Sequence, residues 1–241
     1  MAIDRVLLTT TPIQTFAGQQ ALTNASGFFF ANNQRLFLVT CRHVLIDADS
    51  GHHPDRIEIE LHIDPSNATQ SVNYSIPLYH QGTALWRQGE DSAGAIDVAV
   101  IEIDRSAFPK PAVYAAFGPD HLHPDLDRVT IGTPMLIIGF PLGFHDTLHH
   151  LPVARQAINA SSFSLRFQGS GYFLTDARTH RGSSGAMVVM RNDAAADDQL
   201  PWWLMGVHSA RLDVSNREEG VDEALGLNCA WFADILLTLT R

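Results

Sequence analysis

The segment GFFFANNQRLFLVTCRHVL, residues 27–45, carries the strongest fold signal in this chain. Two apolar segments flank a polar turn, and the stretch ends in His43 and two more apolar residues. Short runs of Phe, Leu, Val and Thr on both sides of such a turn predict two antiparallel strands. Residues 56–63, RIEIELHI, alternate apolar and polar side chains as a half-buried strand does. These patterns favour an all-β barrel or sandwich over parallel strands linked by helices.

The composition narrows the class of protein. The chain has 241 residues, of which 45% are apolar and 17% charged, so we expect a folded core in one large β domain or two small ones. The net charge of −10 argues against binding to nucleic acids or anionic membranes. The sequence contains neither an apolar run of about 18 residues nor a signal-peptide pattern, so we expect a cytoplasmic location. Its two cysteines, Cys41 and Cys229, are expected to be free thiols.

Two further segments bring candidate catalytic groups. Residues 95–103, AIDVAVIEI, form an apolar strand that carries Asp97, and residues 175–189, TDARTHRGSSGAMVV, form a Gly/Ser-rich loop that carries Ser184. Acyl transfer by serine requires a base, a carboxylate that orients the base, and N–H donors for the oxyanion. Ser184 is the candidate nucleophile, His43 the candidate base and Asp97 the candidate carboxylate. Glycines around Ser184 allow the sharp turn that presents backbone N–H groups.

These segments resemble the chymotrypsin-like serine peptidases, and their local sequences are closest to the HtrA (DegP-like) and V8-like branches. The resemblance covers residues 27 to 228 in the family's order of His, Asp and Ser. It is carried by Gly27-Phe28-Phe29 with Val39-Thr40-Cys41-Arg42-His43-Val44, by Asp97-Val98-Ala99-Val100, by Gly139-Phe140-Pro141-Leu142-Gly143, by Thr175-Asp176-Ala177 with Gly182-Ser183-Ser184-Gly185-Ala186, and by Met205-Gly206-Val207-His208-Ser209.

The resemblance implies a fold of two six-stranded antiparallel β-barrels, with the catalytic triad in the cleft between them. We expect one peptidase domain over residues 1–241, with an N-terminal barrel at 1–103, a proline-rich connection at 104–128 and a C-terminal barrel at 129–228. The oxyanion hole would consist of the N–H groups of Gly182 and Ser184. Such an enzyme needs no metal or organic cofactor, and it cleaves proteins or peptides. No PDZ-like extension is expected after residue 241, and we expect targeting or activation to come from surface loops or from a partner protein.

The last segment is predicted to be a helix over residues 229–241. Asn228 is suited to be its N-cap, and Trp231, Ile235 and Leu239 recur four residues apart on one face.

The resemblance also suggests a specificity pocket. The strand that carries His208 and Ser209 corresponds to the pocket wall, and Arg178 lies where the family has its pocket base. Together with Arg211, these donors favour an acidic or Gln side chain at P1. The alternative is that Arg178 faces solvent and His208 bonds only to the backbone.

Departures from the family pattern leave other functions open. Arg42 and Ala186 stand where the family has small residues or glycine, and Ser183 stands where Asn or Asp is common. A catalytically silent or gated module that binds peptides or a partner protein is therefore the alternative to an endopeptidase. An esterase is disfavoured, since residues 182–186 lack the final glycine of the G-x-S-x-G elbow. The histidines of the loop FHDTLHH, His145 and His149 among them, are expected to be solvated rather than metal ligands.

Overall fold

The computed structural model describes residues 3–196, 200–215 and 222–241, with backbone alone at 213–215 and 222–224. It is built mainly of strands, as predicted. The strands are β1 (Thr10–Ala17), β2 (Gln20–Asn32), β3 (Arg35–Thr40), β4 (Arg56–His62), β5 (Ser71–Pro77), β6 (Tyr79–His80), β7 (Thr83–Ala84), β8 (Trp86–Asp91), β9 (Gly94–Ile103), β10 (Pro134–Gly139), β11 (Val153–Asn159), β12 (Tyr172–Asp176), β13 (Met187–Arg191), β14 (Trp202–Ser215) and β15 (Asp222–Phe232). Two short α-helices are α1 (Arg42–Leu45) and α2 (Ile235–Leu239).

The first half is one antiparallel sheet around an aromatic core. Its strand order is β5-β4-β1-β2-β3-β9-β8, which is one strand more than the six expected. The predicted hairpin is present, with Phe30 opposite Phe37 in the register of β2 and β3. Asn33 and Gln34 both have positive φ at its turn, as a two-residue turn that matches strand twist requires. The register sends Phe28, Phe30 and Phe37 into the core, where all three are fully buried.

The second half is a closed six-stranded barrel in the order β10-β11-β12-β15-β14-β13. The connection between the halves contains 3-10 turns at Arg105–Ala107, Pro119–His121 and Leu126–Arg128, and no named strand lies within residues 104–128. The all-β, double-barrel class predicted from sequence is thereby confirmed.

The C-terminal helix is shorter than predicted, and Asn228 is not its N-cap. Asn228 lies in β15, opposite Thr175 of β12, and its side-chain amide donates to the carbonyls of Thr175 and Ala177 at 3.2 and 2.8 Å. The helix α2 begins only at Ile235. Residues 228–231 pair with strands on both sides, and these backbone bonds outweigh a local helical periodicity.

One hydrophobic cluster joins the two halves. Val39 and Val100 from the first sheet belong to it together with Ile138 and Val207 from the barrel and Leu236 from α2. Cys41 and Cys229 are both free thiols, as expected. Among the described residues no helix has the length and apolar character to cross a membrane.

Candidate active site

His43 and Asp97 form a hydrogen-bonded pair at the junction of the two halves. Strand β3 ends at Thr40, and α1 then turns His43 toward β9 while Val44 and Leu45 are buried beneath it. The Nδ1 atom of His43 lies 2.7 Å from Oδ2 of Asp97, and the backbone N–H of His43 donates to Oδ1 at 2.9 Å. Because a carboxylate only accepts, the proton of a neutral His43 ring belongs on Nδ1, which leaves Nε2 as a base.

Asp97 is held in its ionised form. Burial raises its pKa, but the hydrogen bonds and charge of His43, helped by Ser209, outweigh that effect and bring the pKa below its ordinary value. Ser209 of β14 donates its hydroxyl to Oδ2 of Asp97 at 2.5 Å. The carboxylate therefore accepts three hydrogen bonds, which fix its orientation and, through it, that of the imidazole.

The turn that carries Ser184 requires glycine on both sides. Gly182 has φ +86° and Gly185 has φ +82°. A Cβ atom on Gly185 would lie 2.1 Å from the carbonyl oxygen of Ser26, and one on Gly182 would lie 2.8 Å from that of Phe140. These distances leave no room for a side chain, so the close approach of the backbones, as well as the positive φ, selects glycine. Ala186 lies outside the positive-φ positions, which explains why an alanine is compatible there.

Backbone bonds fix this turn to the neighbouring strands. The N–H of Gly185 donates to the carbonyl of His208, and the N–H of His208 donates to that of Ala186, both at 2.8 Å. Within the described residues, neither Gly182 nor Ser184 uses its own N–H in a hydrogen bond. This turn therefore has two N–H groups without an acceptor, and an oxyanion hole requires such donors.

Ser26 is a site residue that the sequence reasoning missed. Its hydroxyl donates to the carbonyl of Gly182 at 2.8 Å and accepts from the N–H of Phe140 at 2.9 Å. Its backbone N–H donates to the carbonyl of Ser184 at 2.9 Å. A fully buried serine from β2 thus links the first half to the nucleophile turn. The only sequence signal for Ser26 was its position directly before Gly27, and a single sequence does not reveal contacts between residues that are far apart along the chain.

His43 and Ser184 line the same open cleft, with a volume of about 780 Å³. Its other walls include Leu142, Arg181, Gly182 and the 20–25 segment of β2. The hydroxyl of Ser184 donates to the carbonyl of Ser209 at 3.1 Å. The cleft is therefore lined by His43, Gly182 and Ser184, and Asp97 adjoins it through its hydrogen bond to His43.

The predicted specificity residues separate into buried and exposed groups. His208 is 2% exposed, and burial, with a smaller contribution from the charge of His43, lowers its pKa to about 4. Its Nδ1 atom is buried without a hydrogen-bond partner among the described residues. Arg178 and Arg211 are both exposed. Ser209, predicted to bind substrate, uses its hydroxyl to hold Asp97.

Two groups of side chains have the proximity of metal ligands. Among the described residues, Cys41, His43 and Asp97 form one group, and Glu60, His145 and His150, which are not among the residues that line the cleft, form the other. Burial raises the pKa of the Cys41 thiol well above its usual range, so Cys41 is a neutral thiol. This state agrees with the view that it is not the nucleophile.

The fold and the arrangement of the site are those of the chymotrypsin-fold serine peptidases. The family model for the trypsin-like peptidase domain matches residues 25–194, and the chain belongs to this family. A search of curated proteins gave no match.

Among solved structures, the serine endoprotease from Yersinia pestis is similar in fold, with a TM-score of 0.55 and 17% sequence identity. The similarity covers 98% of this chain but only 62% of that one. The chain therefore spans less than two thirds of that endoprotease, and at this identity the similarity concerns the fold alone.

Proposed function

We propose that this chain is a serine endopeptidase that hydrolyses peptide bonds through an acyl-enzyme intermediate. The observation that carries the proposal is the pair of His43 and Asp97, joined at 2.7 Å, at the same cleft as Ser184. In the reaction, Ser184 attacks the substrate carbonyl while His43 takes its proton and then passes it to the leaving amine. Asp97 stabilises the resulting imidazolium. The N–H groups of Gly182 and Ser184 receive the oxyanion.

The resting hydroxyl of Ser184 must turn before it reacts. It now donates to the carbonyl of Ser209, and rotation about its Cα–Cβ bond would redirect it toward the Nε2 atom of His43. Catalytic hydrogen bonds are often formed only once substrate is bound, so this geometry is compatible with an active enzyme. Proteins or peptides that enter the cleft are the proposed substrates.

The same hydrogen bond favours a second candidate function, a silent or gated module of the protease fold. If Ser184 stayed bonded to Ser209, the cleft would still bind extended peptides but would lack an activated nucleophile. A partner protein that reshapes the cleft could then act as the activator.

A fluorophosphonate probe separates the two functions, because it reacts only with an activated serine. We expect labelling of the native chain and none of Ser184→Ala or His43→Ala. The adjacent Ser183→Ala is the matched control and should still be labelled. A native chain that remains unlabelled while its cleft still binds peptides would reject the enzyme and leave the binding module.

We further propose a P1 preference for an acidic residue or Gln. The neutral, buried ring of His208 has a nitrogen without a partner, and such a group is stabilised by a hydrogen bond from or to a substrate side chain. Peptide libraries cleaved by the native chain and by His208→Val test this: the variant should lose selectivity for acidic residues and Gln over other P1 residues. Unchanged selectivity would contradict the role of His208.

A further inference from the structure

The chain carries a cluster of potential metal ligands that the proposed catalysis does not use. One ligating atom each from Glu60, His145 and His150 lies within 4.8 Å of the others. Glu60 is in β4 of the first half, whereas the two histidines belong to the loop between β10 and β11. We propose that these three side chains form a zinc site that joins this loop to the first sheet. The inference does not depend on peptidase activity.

The chemistry of the three donors fits zinc. Two imidazoles and one carboxylate are a ligand set that Zn²⁺ accepts, with water in its remaining position. The set brings one negative charge to a divalent cation, so the zinc-bound site carries a net charge of +1. All three residues are partly buried, which removes part of the competing hydration without closing access to the ion.

The hydrogen bonds around the cluster orient its donors. The Nδ1 atom of His145 lies 2.7 Å from the carbonyl oxygen of Gly143. A carbonyl only accepts, so Nδ1 carries the proton and Nε2 keeps a free lone pair for a metal. Glu60 accepts from the hydroxyl of Ser71 at 2.6 Å, which holds its carboxylate in place. Such supporting bonds accompany metal ligands in proteins and raise their affinity.

Without a metal, a proton occupies part of this site. Nδ1 of His150 lies 2.7 Å from Oε1 of Glu60, so a shared proton links the two side chains. His150 adopts φ +56°, an uncommon conformation for a residue with a side chain. Zinc would displace the proton, draw in His145 as well, and hold three side chains where the proton holds two.

The loop that supplies both histidines also reaches the nucleophile turn. The N–H of Leu142 donates to the carbonyl of Arg181 at 2.6 Å, beside Gly182. The ring of His145 contacts that of Phe140, with centroids 5.6 Å apart, and the N–H of Phe140 is held by Ser26. A bound cation would therefore restrict a segment that packs directly on the proposed oxyanion donors.

The experiment measures Zn²⁺ binding by equilibrium dialysis with metal analysis, in the Ser184→Ala background so that self-cleavage is excluded. We expect one zinc ion per chain. The variants His145→Ala, His150→Ala and Glu60→Gln should each weaken binding by more than about 10-fold. Circular dichroism and thermal melting without metal establish that each variant is folded. Co²⁺ in place of Zn²⁺ should give the visible absorption of a four- or five-coordinate site, which Glu60→Gln would alter.

Two controls make the outcome decisive. His149→Ala changes the neighbouring histidine, whose ring bonds to Asp146 instead, and it should keep native zinc affinity. His43→Ala should do so as well, because it removes a ligand only from the other group of Cys41, His43 and Asp97. Loss of binding in His43→Ala with retention in His145→Ala would place the ion at the triad and overturn the proposal. Equal binding by all variants, or none by the native chain, would also overturn it.

Discussion

At the scale of single residues, Ser26 shows how one hydroxyl can position a catalytic turn. It bridges the carbonyl of Gly182 and the N–H of Phe140, and it is fully buried. Ser26→Ala would leave both groups without this partner and free the turn that carries the oxyanion donors. We expect kcat to fall by about 10- to 100-fold with little change in KM, because small displacements at a reacting centre are costly.

Peptide hydrolysis assays check this prediction, with the exposed Ser75→Ala as a control that should behave like the native chain. The free energy of unfolding should also decrease by about 1–2 kcal/mol, because a buried N–H loses its acceptor. Native activity in a folded Ser26→Ala variant would show that Ser26 does not position the turn.

His208 should make stability depend on pH. Its pKa is 6.5 when exposed and about 4 in the folded protein, so the unfolded chain binds the proton more tightly. The stability contribution is therefore complete above pH 6.5 and is lost as pH falls toward 4. A shift of this size corresponds to about 3 kcal/mol.

Urea unfolding of the native chain and of His208→Val at several pH values measures this contribution. Between pH 6.5 and 4, the free energy of unfolding of the variant should decrease by about 3 kcal/mol less than that of the native chain. Substitution of the exposed His53 by Val is the control, and it should keep the native dependence of the free energy of unfolding on pH. If the free energy of unfolding had the same pH dependence in the native chain and in His208→Val, His208 would not be the group that takes up the proton on unfolding.

At the scale of elements, the nucleophile turn depends on close backbone contact. Gly185 and Gly18 both have positive φ, but a Cβ on Gly185 would meet Ser26 and Thr40, whereas one on Gly18 meets nothing within 4 Å. Gly18→Ala should cost about 1 kcal/mol from its backbone conformation alone. Gly185→Ala should lower the free energy of unfolding by at least about 2 kcal/mol more than Gly18→Ala does, because the backbone around the new Cβ must shift to make room for it.

Chemical denaturation of the two glycine variants gives these differences directly. Gly185→Ala should also abolish labelling by a fluorophosphonate, and Gly18→Ala should leave it intact. If both variants were destabilised equally, the close approach of β2 to the turn would not be the constraint on Gly185.

The elements differ in how well the sequence alone could predict them. The β2–β3 hairpin was predictable because its alternation and its polar turn are local, and the Gly182–Gly185 turn because glycines mark it. The start of α2 was not predictable, because Asn228 and Trp231 are held in β15 by strands β12 and β14. Ser26 was missed because its partners, Phe140 and Gly182, are 114 and 156 residues away.

At the scale of the whole molecule, the two halves should unfold together, since one hydrophobic cluster runs through both. The helix α2 follows the barrel in sequence but packs on the first sheet, where a Cβ on Gly89 would lie 3.4 Å from Leu239. Leu236 in the same helix is fully buried in the shared cluster. Leu236→Ala should therefore destabilise the protein by about 2–5 kcal/mol, with one transition retained.

Hydrogen exchange measured by mass spectrometry shows whether Leu236→Ala destabilises both halves of the molecule. In Leu236→Ala, peptides from the β2–β3 hairpin and from β10 should lose protection by the same factor, because both exchange through a common unfolded state. Leu237→Ala changes the next residue of the helix, which is 39% exposed, and should leave protection close to native. Loss of protection in only one half would show that the halves are separate cooperative units, and the cluster between them would then be an interface instead of a shared core.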